Sequence, residues 1–218
     1  MADTVQYRLD QMVPVLMEMT KQGIFNQQEI QQIVSKRRDF EYKLVRRGSQ
    51  KHDFIRYIEY EDNLETLRKL RFKTYLKHSK GAQRQVRPGK HLEFAGLRLI
   101  RSIYDRALRR FPADMDLWMQ FIEWAEAQGS HRILSQVLSR ALLLHPLEAR
   151  LWARAASHEI YKSGNLQAGR VLLQRGLRLN PKSRALWLQY FRLELLHLHR
   201  LRQKEARKKK KQKLRREE

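Results

Sequence analysis

The sequence predicts an all-α protein in which an N-terminal helical segment is followed by a solenoid of stacked helical hairpins. Trp118, Trp152 and Trp187 each follow a proline by six residues, and successive units are 34 and 35 residues apart. A period of this length, marked by one proline and one large aromatic residue, is typical of helical-hairpin repeats. Glycine and proline are also scarce, with nine and five residues in a chain of 218, which favours helices over a turn-rich sheet. Stacked hairpins present a surface rather than a pocket, so binding and assembly are the expected roles.

Composition narrows the class of protein. Apolar residues make up 42% of the chain, which is enough for a core, and cysteine is absent. Disulfides and thiolate metal sites are therefore excluded, and a reducing compartment fits this composition. The N-terminus lacks the basic and apolar regions of a secretory signal, and no apolar run approaches the ~20 residues that a membrane span needs. We expect a soluble intracellular protein that does not contact a membrane.

The first predicted region, residues 1–79, is helical without the tryptophan repeat. Asn26 is placed to cap a helix, and Glu29 is placed to reach back to it as in a capping box. The flanking pair Phe25 and Ile30 has the spacing of a hydrophobic staple. We expect this helix to end at about Gly48 and a second, long helix to follow it.

Two places in the sequence predict interruptions. Pro14 lies inside the first helical stretch and is expected to kink or restart that helix, because proline lacks the backbone N–H. Residues 80–91 contain Gly81, Pro88 and Gly89 without apolar periodicity, which predicts a basic loop between the two halves of the chain.

The predicted repeat solenoid covers residues 92–200. Five residues before each of the three prolines lies a small residue, which predicts a close helix crossing; these residues are Ala107, Ala141 and Gly176. Glu159 and Glu194 each follow a repeat tryptophan by seven residues, and an earlier, degenerate copy of the pattern ends at Glu61. Helical spacing places the aromatic side chains on core-facing positions. The predicted repeat core comprises Trp118, Phe121, Trp152, Trp187 and Tyr190.

The last helix of this region is unusual in having two apolar faces. At about 100° per residue, Leu186 and Leu193 fall on one face, while Leu188, Phe191 and Leu195 fall on another. A terminal helix of a solenoid normally has a polar outer face. The pattern therefore predicts that a further repeat or a partner covers the second face.

Positive charge is concentrated in two segments. The net charge is +23, and residues 66–110 hold 14 Lys/Arg against two acidic residues, while residues 200–218 hold 11 against three. Such clustering indicates an anionic partner, most often nucleic acid. The basic tail, residues 201–218, is a candidate for phosphate contact or for nuclear targeting. The candidate residues are Arg207, Lys208, Lys209, Lys210, Lys211 and Lys213.

Motifs for catalysis and cofactor binding are missing from the sequence. It contains no glycine-rich phosphate-binding loop, no zinc-protease motif and no nucleophile elbow. The eight histidines are scattered, and His197 and His199 are two residues apart, so on a helix they point in different directions. We expect neither an enzyme nor a protein with a metal or cofactor.

The repeat positions and several N-terminal stretches also resemble known protein families. The positions after each aromatic pair hold Ile122, Ala156 and Phe191, which is more similar to HAT (half-a-TPR) repeats than to tetratricopeptide repeats. The stretches 25–30, 40–44 and 53–64 resemble the N-terminal region of the HAT-repeat subunit of the UTP-B subcomplex of the small-subunit processome. This similarity covers about residues 5–75, and the HAT units that follow agree with it.

The resemblance implies a non-enzymatic scaffold located in the nucleolus. Its implied partners are UTP-B proteins, including WD40-propeller subunits, and the particle that contains U3 small nucleolar RNA and precursor ribosomal RNA. Neither a membrane nor a small-molecule substrate is implied. Two alternatives remain open: a HAT-repeat adapter in splicing or cleavage/polyadenylation, and a solenoid that binds RNA directly.

Overall fold

The computed structural model describes residues 2–78 and 94–217, and every regular element in these two ranges is helical. The all-α prediction is therefore confirmed. A π-helical turn, His158–Lys162, extends the seventh helix. None of the described helices is long and apolar enough to cross a membrane. The α-helices are α1 (Ala2–Lys21), α2 (Gln27–Val45), α3 (Lys51–His78), α4 (Ala95–Arg110), α5 (Met115–Ala127), α6 (His131–Leu144), α7 (Ala149–Ser157), α8 (Leu166–Leu179) and α9 (Arg184–Glu217).

The chain divides into two compact units, Met1–Asp114 and Met115–Glu218. Helix α4 belongs to the predicted repeat region but lies in the first unit, where it packs against α3. The predicted basic loop, residues 80–91, lies outside the described residues. In the second unit, α9 continues as one helix from the predicted solenoid into the predicted tail. The proposed domain limits, residues 1–79, 80–91, 92–200 and 201–218, stay a prediction.

The start of α2 is confirmed as a capped helix terminus. The backbone N–H of Asn26 donates to Oε2 of Glu29 at 2.8 Å. Phe25 and Ile30 pack in one apolar cluster with side chains from α1 and α2. The chain turns into this cap through Gly23, whose φ of 67° is readily adopted only by glycine.

Pro14 does not restart α1, so that part of the sequence prediction is wrong. The helix runs without a break from Ala2 to Lys21 with Pro14 inside it. Proline removes one backbone hydrogen bond, but the same helix buries a row of apolar side chains on its inner face. That packing holds the helix together on both sides of the proline. The buried residues are Val5, Leu9, Leu16 and Met19.

All three repeat helices that precede a proline end in the same way. The N–H of the residue before the proline donates to the carbonyl of the small residue four positions earlier, at 2.8 Å each time. The bonds join Phe111 to Ala107, His145 to Ala141 and Asn180 to Gly176. This agreement explains why the sequence period is visible, since the proline prevents further propagation of each helix.

The core of the second unit contains most of the predicted aromatic residues. Trp118 and Phe121 are fully buried, and Trp152 is 7% exposed. The indole of Trp152 lies against α8 where Gly176 leaves room, because a Cβ at that glycine would be 2.8 Å from Cβ and Cγ of the tryptophan. Tyr190 is partly buried against the same cluster.

The prediction that Trp187 belongs to the repeat core is wrong, because this residue is 53% exposed. Its indole N–H donates to the carbonyl oxygen of Pro181 at 2.9 Å, which fixes the ring beside the preceding turn. Trp152 makes the same bond with Pro146 at 2.8 Å and is in addition covered by α8. The described residues of the second unit leave the equivalent face of Trp187 half uncovered.

Candidate docking and nucleic-acid surfaces

The C-terminal half of α9 is the most basic described surface of the second unit. Because the helix is continuous, its cations are spaced along a rod with a rise of about 1.5 Å per residue. Side chains on such a rod can contact several phosphates of one strand without reading bases. The exposed cations are Arg202, Lys204, Arg207, Lys208 and Lys209.

The remaining candidate cations belong to the same helix. Lys210, Lys211 and Lys213 lie within α9 by their backbone, and their side chains are outside the described set. Glu205 is the acidic residue among the exposed cations of this stretch. Whether these side chains contact RNA or act as a targeting signal stays a prediction.

The N-terminal half of α9 presents an exposed apolar face. Leu186 and Leu193 are buried in the core of the unit, which agrees with the predicted inner face. The outer-face side chains are between 41% and 60% exposed, and they are Trp187, Leu188, Phe191, Leu195, Leu198 and Leu201. Exposed apolar side chains that cluster on one face make this face a candidate contact surface.

The same face of α9 changes from apolar to basic along the helix. At about 100° per residue, Trp187, Phe191 and Leu198 lie within about 40° of one another, and Arg202 and Lys209 continue their line. A partner that follows this face would meet apolar side chains first and cations afterwards.

An ion pair fixes α9 against α8. Arg170 donates from Nε and Nη2 to the two carboxylate oxygens of Glu194, at 2.7 and 2.6 Å. These hydrogen bonds from Arg170 lower the pKa of Glu194, so the pair stays charged at neutral pH. The pair is compatible with the rotation of α9 that buries Leu186 and Leu193 and leaves the opposite face exposed.

A buried ionic cluster holds the helices of the first unit together. Glu41 of α2 is fully buried, and it accepts from Arg106 of α4 at 2.6 and 2.8 Å and from Arg8 of α1 at 2.9 Å. Burial alone would raise the pKa of Glu41, but the two guanidinium groups outweigh it and lower the pKa. One carboxylate therefore joins three helices.

Arg37 and Glu61 form a second buried pair. Nε and Nη2 of Arg37 donate to the two oxygens of Glu61, each at 2.8 Å. Burial opposes the charge of Arg37, but the adjacent Glu61 carboxylate outweighs it, so the pKa of Arg37 is raised. The ring of Tyr57 lies next to this pair, and burial followed by the charges of Glu61 and Glu41 raises the pKa of its hydroxyl. Tyr57 is therefore neutral at any physiological pH.

Glu65 of α3 lies close to the first turn of α4. It accepts from Nε and Nη2 of Arg68 at 2.8 and 2.7 Å. A Cβ at Gly96 would lie 2.5 Å from Oε2 of Glu65, so the glycine lets the helix start approach the carboxylate. An anion at this position is favourable because the N-terminus of a helix carries partial positive charge.

These ion pairs were not foreseen from the sequence, although one signal was available. Arg37 precedes Glu61 by 24 residues, and Arg170 precedes Glu194 by the same interval. The two glutamates were placed in the repeat pattern, and a search for basic residues at a fixed distance from them would have found their partners. Within residues 2–78 and 94–217, no cluster of three or more metal-ligating side chains is found.

Comparison with known proteins relates two stretches of the sequence to described families. Residues 9–92 match the family described as U3 small nucleolar RNA-associated protein 6, and residues 104–217 match the family described as PRP39 N-terminal HAT repeat. The second match covers more than half of the chain and identifies the helix pairs as HAT repeats.

Curated relatives extend the similarity across both units. The chain is 39% identical over 203 residues to the U3 small nucleolar RNA-associated protein 6 of Schizosaccharomyces pombe, which covers 92% of this chain and 40% of the relative. The mouse and human homologues of that protein are 32% and 30% identical, each over 93% of this chain and 32% of the relative. This chain thus spans between about a third and two fifths of these relatives.

The family-specific match at the N-terminus, the HAT match after it and the similarity to the relatives over nine tenths of the chain agree with one another. The chain belongs to the family of U3 small nucleolar RNA-associated protein 6, with a HAT-repeat region after the family-specific N-terminal segment.

Proposed function

We propose that this chain is a non-enzymatic scaffold of the small-subunit processome that acts in precursor ribosomal RNA processing and small ribosomal subunit assembly. The observation that carries the proposal is the family-specific match of residues 9–92, because HAT repeats alone occur in several RNA-processing assemblies. The relatives named for U3 small nucleolar RNA support the same assignment over both units. The scaffold would work in the nucleolus.

The exposed surfaces support a docking role. The outer face of α9 offers an apolar stripe that continues into a basic one, and such a face suits a protein partner better than a small molecule. We propose UTP-B proteins, including WD40-propeller subunits, as the protein partners. The U3 ribonucleoprotein with its precursor ribosomal RNA would be the particle to which they belong.

Affinity purification tests this function. The tagged chain is recovered from nucleolar extract, and the co-purifying proteins are identified by mass spectrometry. Enrichment of WD40-propeller processome proteins is expected, with a variant that carries Phe191→Asp and Leu195→Asp on the outer face of α9 as the matched control. Recovery of splicing or cleavage/polyadenylation proteins instead would refute the proposal and favour a HAT-repeat adapter of those assemblies.

Direct contact with RNA is a second candidate function, favoured by the row of exposed cations on α9. Electrostatic binding falls steeply with salt, because each neutralised phosphate releases counterions. We expect a linear fall of the logarithm of affinity with the logarithm of salt concentration, and a shallower slope when residues 202–218 are deleted. A chain that carries Arg132→Glu in α6, an exposed cation away from α9, serves as control. Absence of RNA binding at low salt would refute direct RNA contact and leave the scaffold function as the only candidate.

A further inference from the structure

A cleft in the first unit is lined by residues from α1, α2, α3 and α4. Helix α1 packs against α2, and α4 packs against α3. Arg8 from α1 and Arg106 from α4 meet at the Glu41 carboxylate, and the cleft opens beside this contact with a volume of about 540 Å³. Cavities of this size can enclose several side chains of a bound segment.

One part of the cleft wall is apolar and adaptable. It is formed by Met12, Val15, Met19, Leu64 and Leu99. Met19 is buried, whereas the other four are half-buried and therefore still offer apolar surface to an incoming group. Methionine side chains are unbranched and polarizable, and they adjust to ligands of irregular shape. Burial of apolar side chains from a partner is the interaction that this wall favours.

The charged part of the cleft wall is positive overall. Six guanidinium groups and four carboxylates line it. Three of the carboxylates, Glu41, Glu61 and Glu65, are already held in ion pairs by arginines of the same cleft. Arg109 lines this cleft and also a second one of about 370 Å³, and its side chain is exposed. A ligand that enters the cleft therefore meets an excess of positive charge.

We infer that this cleft binds an acidic segment of a partner protein that carries one or two apolar anchor side chains. The apolar wall would hold the anchors, and the exposed guanidinium group of Arg109 at the rim would pair with a flanking carboxylate. The inference deepens the scaffold function proposed above and rests on it, since it states the chemistry that a docking partner of the first unit must have.

Two other occupants fit the cleft less well. Residues 79–93 of the chain hold Lys80, Arg84, Arg87 and Lys90 against Glu93, so their charge has the same sign as that of the cleft. RNA would bring the opposite charge, but the apolar wall has nothing to offer a phosphate. Phe25, the aromatic residue among those that line the cleft, is buried and does not present a face on which a base could stack.

Fluorescence anisotropy with a synthetic probe tests the inference on the complete chain. The probe is a labelled peptide of about 12 residues, with two leucines four positions apart and aspartates on both sides. Matched probes carry serines in place of the leucines or lysines in place of the aspartates, and a labelled oligouridylate represents RNA. The test variants are Ser102→Trp, which fills the cleft from an exposed position on α4, and Arg109→Glu, which reverses charge at the rim. The control is Arg132→Glu in α6.

The acidic leucine peptide is expected to bind, and Ser102→Trp should weaken it by about tenfold or more, as changes at the centre of a binding site do. Arg109→Glu should weaken it less and in a salt-dependent way, because it reverses a charge at the rim. Arg132→Glu should leave the affinity within about twofold, since surface changes away from a site have little effect. Thermal unfolding by circular dichroism should be unchanged in all three variants.

Loss of binding with the serine probe and with the lysine probe would support the assigned chemistry. Equal affinity of the wild type and Ser102→Trp for the acidic peptide, or no binding of that peptide to the wild type, would overturn the inference. Oligouridylate binding that is abolished by Ser102→Trp would assign the cleft to RNA and would also overturn it. Failure here leaves the processome function intact when processome proteins still co-purify with the chain.

Discussion

The α2–α3 pair of the first unit and the α8–α9 pair of the second carry the same ion pair in different surroundings. Arg37–Glu61 and Arg170–Glu194 have the same spacing of 24 residues and the same two-point geometry. The side chains of the first pair are 6% and 1% exposed, whereas those of the second are 22% and 33% exposed. The two ion pairs therefore share their spacing and geometry but differ in the burial of their side chains.

The difference arises from what covers the second helix of each pair. Phe54 and Trp187 hold equivalent positions seven residues before the glutamate, yet Phe54 is 4% exposed and Trp187 is 53% exposed. The ring of Phe54 is met edge-on by Phe111, which follows α4, with ring centroids 6.0 Å apart. A repeat motif therefore specifies the contacts inside a helix pair, and the next element decides whether those contacts become core.

The largest expected effect comes from removing one partner of the buried pair. Glu61→Gln leaves the Arg37 charge buried without compensation, and such a loss costs about 3–5 kcal/mol. Glu194→Gln, the matched variant, should cost less than about 1 kcal/mol, because water screens the exposed pair. Urea unfolding followed by far-UV circular dichroism measures both.

Indole fluorescence separates the two units in this experiment. All four tryptophans lie in the second unit, so indole fluorescence should follow that unit and stay unchanged in Glu61→Gln. Equal destabilisation by the two glutamine variants would contradict the idea that burial, and not pair geometry, sets the contribution.

The next effect in size compares two tryptophans with the same hydrogen bond. Trp152→Ala removes a ring packed against α8 and should destabilise the second unit by about 3 kcal/mol, at the lower end of the usual range for a buried tryptophan because the ring is not fully enclosed. Trp187→Ala removes a half-exposed ring and should cost less than about 1 kcal/mol. Thermal unfolding followed by the fluorescence of the remaining tryptophans, all of which lie in the second unit, measures both variants, and a reversed order would contradict this expectation.

A smaller effect is expected at the helix crossing itself. Gly176 stands where Ala107 and Ala141 stand in the earlier repeats, and an added Cβ would press on the Trp152 side chain. Gly176→Ala should therefore cost about 1–2 kcal/mol, because overpacking outweighs the better helix propensity of alanine. A gain in stability on calorimetry would mean that α8 can move away from the indole ring.

The smallest effect is a dependence on pH in the first unit. Hydrogen bonds from Arg71 and from the Asn26 backbone lower the pKa of Glu29 from 4.5 to about 2. The stabilisation is complete above about pH 4.5 and is lost as the pH falls towards 2, since the unfolded chain then takes up the proton first. Both side chains are 37% exposed, so screening keeps the contribution below about 1 kcal/mol. Melting temperatures of Glu29→Gln should show a weaker fall across this range than those of the wild type.

Local signals made the helix termini and the repeat predictable from the sequence. The capping pair Asn26 and Glu29, and the prolines that end three helices, act through neighbours within a few residues. The exposure of Trp187 and the grouping of α4 with the first unit depend on which helices meet in space. The joining of Arg8 and Arg106 at Glu41 links residues 33 and 65 positions from the glutamate, and no short-range pattern reports such contacts.

For the surfaces too, features set by neighbouring residues could be predicted from the sequence, and features set by distant residues could not. The basic composition of residues 200–218 was evident, because charge can be counted along a chain. The cleft of the first unit was not, because its wall is assembled from four helices whose residues are far apart in sequence. Function at the level of family came from the N-terminal stretches, where several short motifs agreed.

The small RNA that co-precipitates with the tagged chain tests the central claim most directly. Immunoprecipitation from nuclear extract, followed by quantitative reverse transcription of U3 and of the spliceosomal small nuclear RNAs, measures which particle the chain enters. The scaffold account predicts enrichment of U3 over the spliceosomal RNAs. Enrichment of spliceosomal RNAs with U3 at background level would contradict it.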